Sequence, residues 1–66
     1  MISTNYDPEA DVLYVRIAPQ GTQVAETREI ESGVMLDVDV AGSVIGIEVL
    51  GVRARSAGHA TRGAVA

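Results

Sequence analysis

The 66-residue chain has no cysteine, no lysine and a single histidine, His59. Without cysteine it can form neither a disulfide nor a thiolate metal site, and one histidine excludes a multi-histidine zinc site. These are the staples with which short chains usually compensate for a small core. The compensation matters, because a domain of this length buries only about 60% of the surface its unfolded form exposes. Association with a second copy is the remaining common support, so a homodimer is expected by elimination. Long apolar runs are missing too. None approaches the ~18 residues of a membrane span, so no membrane partner is expected. Met1 to Ala10 carry neither a cationic start nor an apolar stretch, so no signal peptide is expected. With the cysteine-free composition, this gives a cytoplasmic location as the expectation.

What the chain does contain is characteristic of a globular domain. Apolar residues make up 47% and charged residues 21% of it, which is far from a disordered composition. The charge is unevenly placed. Residues 1–50 hold all nine carboxylates against Arg16 and Arg28, for −7, whereas residues 51–66 hold Arg53, Arg55 and Arg62 and no acid, for +3. An acidic body repels phosphate backbones, so the folded part is not expected to bind nucleic acid. It suits a basic protein partner instead.

Apolar residues recur with period two through most of the chain. Ile2, Thr4 and Tyr6 read as a first strand, broken by the turn Asp7-Pro8-Glu9-Ala10-Asp11. Val12 to Ala18 is a second strand, with Leu13, Val15 and Ile17 on one face and Val12, Tyr14 and Arg16 on the other; Pro19-Gln20-Gly21 ends it. The third strand, Val24 to Ile30, is the most polar. It suits an edge, and helix competes for it because Ala25 to Glu31 contains good helix formers. Strand is preferred, since Thr27 and Ile30 are β-branched and the flanking turns are tight.

Val34 to Leu50 forms the clearest unit, a hairpin. Val34, Leu36 and Val38 share a face with Ile45, Ile47 and Val49 only if even positions pair with odd ones; a slip of one would expose half of them. An even loop around Ala41-Gly42 is therefore expected, with Gly42 left-handed. The fold class is mainly β, an antiparallel β-meander of four to five strands, with α+β as the alternative. Residues 1–50 are the β-meander domain, and 51–66 a basic tail with room for a turn or two of helix near Val52 to Ala57 and a frayed end.

Tyr6-Asp7-Pro8-Glu9-Ala10-Asp11-Val12-Leu13-Tyr14-Val15-Arg16 resembles the opening of a small bacterial family known as domain of unknown function 2283. The likeness continues, in order and spacing, at Thr27-Arg28-Glu29-Ile30, Gly33-Val34-Met35-Leu36-Asp37-Val38-Asp39 and Gly46-Ile47-Glu48-Val49-Leu50. The resemblance implies a sheet of four or five antiparallel strands, often followed by a short helix, and no activity. Genes of the family often neighbour small toxin-like genes, so it also implies an antitoxin-like binding role. After Leu50 the chain departs from the family pattern.

No segment meets the requirements of a catalytic motif, and no cofactor is expected. Asp7, Glu9 and Asp11 alternate like the opening of a calcium loop, but Val12 and Ala18 stand where its glycine and bidentate glutamate belong, so a turn with solvated acids is the expected role. Asp37, Asp39 and Glu48 should share a face of the hairpin. Such a row can hold Mg²⁺ or act in acid–base chemistry, which makes a metal-dependent enzyme the alternative function; more commonly it marks a solvated sheet face. Tyr14 and Arg16 fit both a recognition pair and an exposed packing pair. His59 has no second ligand or nucleophile near it in sequence. The expected function is thus a non-catalytic interaction module, and Tyr14, Arg16, Asp37, Asp39 and Glu48 are the candidate partner-binding residues.

Overall fold

The computed structural model describes residues 2–61, with the side chains of residues 59–61 outside that description. Five strands, β1 (Ser3–Asp7), β2 (Val12–Arg16), β3 (Glu26–Glu31), β4 (Val34–Val38) and β5 (Val44–Leu50), form one antiparallel sheet, followed by the helix α1 (Val52–Thr61). The mainly β class expected from the sequence is found, and the helix runs further than the turn or two anticipated. Strand bounds shift by up to two residues. The His59 side chain and the end of the tail beyond residue 61 lie outside the described residues.

One connection departs from a chain-order meander. The spatial order is β1-β2-β5-β4-β3, so β2 neighbours β5 and the chain crosses to the far edge before β3. Polarity accounts for it. The apolar strands β2, β5 and β4 occupy the centre, and the polar β1 and β3 take the edges, where carboxylates and arginine stay in water. A chain-order meander would have put Glu26, Arg28 and Glu29 in the middle of the sheet.

The ladders define two faces with opposite chemistry. Tyr6, Leu13, Val49 and Val34 form one transverse row, ending on β3 at Glu31, and Thr4, Val15, Ile47 and Leu36 the next, ending on β3 at Arg28. On the other face the rows are Asn5, Tyr14, Glu48, Met35, Glu29 and Ser3, Arg16, Gly46, Asp37, Thr27.

The β4–β5 register follows the expected parity by an unexpected route. Val34 pairs with Val49 and Leu36 with Ile47, so the apolar sets coincide. The loop itself is odd. Asp39 N–H donates to the Ser43 carbonyl at 2.9 Å, which leaves Val40, Ala41 and Gly42 as a three-residue turn with Gly42 at φ 84°. A register shift between Asp37 and Val38 then restores the parity, because Ile45 is an extra residue opposite Asp37-Val38. Burial explains the bulge: Ile45 is 0% exposed and its carbonyl accepts from both Ile17 and Ala18.

The helix is anchored at its first turn. Its sequence there is basic, with Arg53 and Arg55 and no acid, which opposes the positive end of the helix dipole. Asp11 supplies the missing carboxylate from the β1–β2 turn, where it is left-handed at φ 58°. Both its oxygens accept from Arg53 N–H at 3.2 Å, capping the helix from across the chain. Arg55 donates to the Leu50 carbonyl at the end of β5 and reaches the β3–β4 turn, donating to the Ser32 carbonyl and pairing with Glu31 at 3.4 Å. Val52 is the only large apolar residue of α1, so the helix has no stripe with which to cover the sheet.

The core is accordingly thin. Among the described residues only Val38 and Ile45 are buried hydrophobics. The radius of gyration is 13.5 Å, against about 11 Å for a compact domain of this length.

Candidate functional site

Four of the five candidate residues lie together on the polar face. Tyr14 stands on β2 opposite Glu48 and Asn5, but its ring does not stay in that row. It leans across β5 at Gly46, and its hydroxyl donates to Asp37 Oδ2 on β4 at 3.0 Å. Only glycine permits this crossing: a Cβ at Gly46 would meet the Tyr14 hydroxyl, lie 2.6 Å from its Cζ and 2.8 Å from the Val15 carbonyl oxygen. The other Asp37 oxygen accepts from Thr27 Oγ1 on β3 at 2.7 Å. A polar chain of Tyr14, Asp37 and Thr27 thus spans four strands, β2 over β5 to β4 and β3. It fixes the Asp37 carboxylate in one orientation.

Burial, and then the hydrogen bond to Asp37, push the Tyr14 hydroxyl above its ordinary pKa; Glu48 acts in the same sense and Arg16 against it. Tyr14 is therefore a neutral donor at physiological pH. Arg16, one row on from Tyr14, donates from Nη2 to the Pro19 carbonyl at 3.0 Å, and its Nε is buried without a hydrogen-bond partner. Glu48 is half-buried and diagonal to Asp37 across the β4–β5 ladder.

Asp39 does not join them. The expectation that Asp37, Asp39 and Glu48 share a sheet face is corrected here: β4 ends at Val38, and the Asp39 carboxylate turns into its own loop, accepting from Ala41 and Ser43 N–H at 2.9 Å each. With Asp39 spent on the turn, the carboxylate row reduces to Asp37 and Glu48. Among the described residues no three of His, Cys, Asp and Glu are grouped so that they could hold a metal ion. An open depression of about 300 Å³ lies at the loop end of the sheet, lined by Thr22 to Ala25, Asp39 and Val40. It touches none of Tyr14, Arg16, Asp37 or Glu48.

A second constellation sits at the opposite end. Asp7 caps its own turn, with Oδ1 accepting from Glu9 and Ala10, as expected for solvated turn chemistry. Tyr6 donates to Asp11 at 2.6 Å, and this bond is the main cause holding the Asp11 carboxyl below its usual range; the Arg53 amide and guanidinium add to it. The same bond raises the Tyr6 hydroxyl. This group serves the helix junction.

Sequence reasoning missed Thr27 and Gly46. Thr27 stood out only as a β-branched residue. Gly46 did carry a signal, since an isolated glycine inside an apolar alternation marks a bulge or a close approach; what approached it could not be read without knowing that β2 lies beside β5.

Among the described residues no helix is long and apolar enough to cross a membrane. No curated protein and no solved structure matches the chain. The family model described as "Protein of unknown function (DUF2283)" matches residues 4–53, which contain all five strands from Thr4 onward together with Tyr14, Asp37, Glu48 and the capping Asp11. The chain belongs to that family.

Proposed function

We propose that the protein is a small non-catalytic interaction module, working as a homo-oligomer, that receives a basic protein partner on the polar face of its sheet. The observation that carries this reading is the hydrogen-bonded chain Tyr14–Asp37–Thr27 over Gly46. It holds a carboxylate in place before any partner arrives, so little ordering entropy is lost on binding. Glu48 and Glu29 add negative charge to the same face, and Arg16 brings the guanidinium that interface centres favour. An arginine- or lysine-rich segment fits this arrangement, and an antitoxin-like role, with a small basic toxin as the partner, is one form of it. The site lies on a flat, open sheet, which suits a protein surface better than a small substrate.

The test is a pull-down from host extract with the tagged chain, run beside the double variant Asp37→Asn, Glu48→Gln. One stoichiometric basic partner that the double variant releases, and that elutes at raised salt, supports the reading. Equal retention by both proteins sinks it. A melting temperature that rises with Mg²⁺, Mn²⁺ or Ca²⁺ in the wild type and not in the double variant would instead favour the metal-dependent alternative.

A further inference from the structure

We propose that the apolar face of the sheet is an interface with a second copy of the chain, packed face to face about a two-fold axis. The contact is formed by the two rows Tyr6–Leu13–Val49–Val34 and Val15–Ile47–Leu36.

Three observations lead there. The first is that nothing among the described residues closes this face. Leu13, Val15, Val34, Leu36, Ile47 and Val49 are only half-buried, and α1 is tied to the sheet by its first turn with Val52 as its one large apolar residue. The second is extent. The two rows run across β1, β2, β5 and β4, with Tyr6 at their β1 margin 40% exposed, so the face has the breadth that the same face of a second copy would cover.

The third is charge, which decides which of the two faces can meet its own copy. A two-fold axis sets each residue against the same patch of its twin. The polar face carries Glu29, Asp37 and Glu48 against Arg16, so two such faces would repel. The apolar rows are uncharged from β1 to β4; at their β3 ends Arg28, opposite Leu36, is paired with Glu26 at 3.0 Å, and Glu31, opposite Val34, with Arg55 at 3.4 Å, so the charges of that rim are paired off. Face-to-face packing of sheets at about 10 Å separation needs this kind of apolar surface. The charged, bulged edge β3 makes edge-to-edge pairing there unfavourable.

The arrangement has a consequence for the proposed module, and this part rests on that reading: two polar faces would point outward on opposite sides, so the dimer takes two partners and gains avidity from a partner that is itself repeated.

The dimer is tested without any partner. Light scattering on the whole chain across a wide micromolar range should give twice the chain mass, and the melting temperature should rise with protein concentration. The variants Val15→Cys and Ile47→Cys, in a chain with no other cysteine, should be joined into covalent dimers by a short bis-maleimide, while Met35→Cys on the opposite face should not. A folded monomer with a concentration-independent melting temperature overturns the proposal. So does cross-linking through position 35 and not through 15 or 47. Because the cysteine variants preserve an uncharged side chain, the result does not depend on a charged substitution being tolerated.

Discussion

The two faces of this sheet are made by the same strands, yet each is organised by a different kind of force. On the apolar face the rows from Tyr6 to Val34 and from Val15 to Leu36 are contiguous and uncharged, and what they gain depends on how much water leaves them. On the polar face the same strands are connected by directional bonds, Tyr14 to Asp37 to Thr27, which hold whether or not anything covers them. One face is therefore incomplete in the isolated chain and the other is already arranged. A single sheet can do both because alternation sends successive residues to opposite sides.

Adjacent substitutions on one strand separate the two forces most sharply. Leu36→Asp, on the apolar face, should cost about 3 kcal/mol and lower the melting temperature by roughly 15 °C, with loss of concentration dependence. Met35→Asp, one residue away on the polar face, should cost about 1 kcal/mol and leave that dependence intact. Thermal scans at two protein concentrations decide; similar losses at both positions would mean the faces do not differ.

Gly46→Ala should cost about 1–3 kcal/mol by displacing the Tyr14 ring. In the background of Tyr14→Ala the cost should shrink, so a double-mutant cycle by urea unfolding measures the crossing itself. Additive losses would show that the Val15 carbonyl, and not the ring, sets the penalty.

Tyr14→Phe should cost about 1 kcal/mol, the net value of one hydrogen bond. It also carries a pH signature. The Tyr14 hydroxyl is raised in the folded protein, so its contribution is fully present below its unfolded pKa of 10.0 and is lost as pH rises through the higher folded value. The wild type should therefore weaken above pH 10, and Tyr14→Phe should weaken less steeply over that window. Tyr6, raised by Asp11, adds an independent part that the Phe variant keeps.

The smallest effect belongs to the helix junction. The Asp11 carboxyl is held low, so its contribution is present above the unfolded value of 3.8 and is lost as pH falls through the lower folded value. Far-ultraviolet circular dichroism should show helix loss in that acid range for the wild type, and a smaller acid response in Asp11→Asn.

Much of this architecture was legible in the chain. Alternation in Val12–Arg16 and Val34–Leu50 gave the strands and the common face of Leu36 and Ile47, because side-chain period and burial are local properties. The polar β3 was recognised as an edge for the same reason. The strand order was not, since it depends on where a polar strand is cheapest to place in the whole sheet. Among the candidate residues, Tyr14 and Arg16 were legible as sharing one face of their strand, and Asp37 and Glu48 one face of the hairpin. That the two pairs lie together depends on β2 running beside β5. Asp39 was misplaced because alternation continues past Val38 in the sequence while the backbone has already entered its turn. The Ile45 bulge was hidden for a related reason: an odd loop and one extra residue give the same parity as an even loop alone.

The crossing of the chain between β2 and β3 places a seam in the sheet. On one side is the β1–β2 hairpin, and on the other β3, β4 and β5, each closed by short turns between neighbours in sequence. Among the described residues the β2–β5 ladder, with partners such as Val12 and Leu50, is the one ladder that joins distant parts of the chain, and the Asp11 cap on α1 forms across the same seam. Closing long-range pairs is the slow step in small β proteins. The time this chain takes to fold should then be set by its seam, with weakening substitutions in β2 or β5 slowing refolding and those in β3 mainly hastening unfolding in stopped-flow measurements. The helix, capped from across that seam, becomes the last element to form and a built-in reporter that the two halves have met.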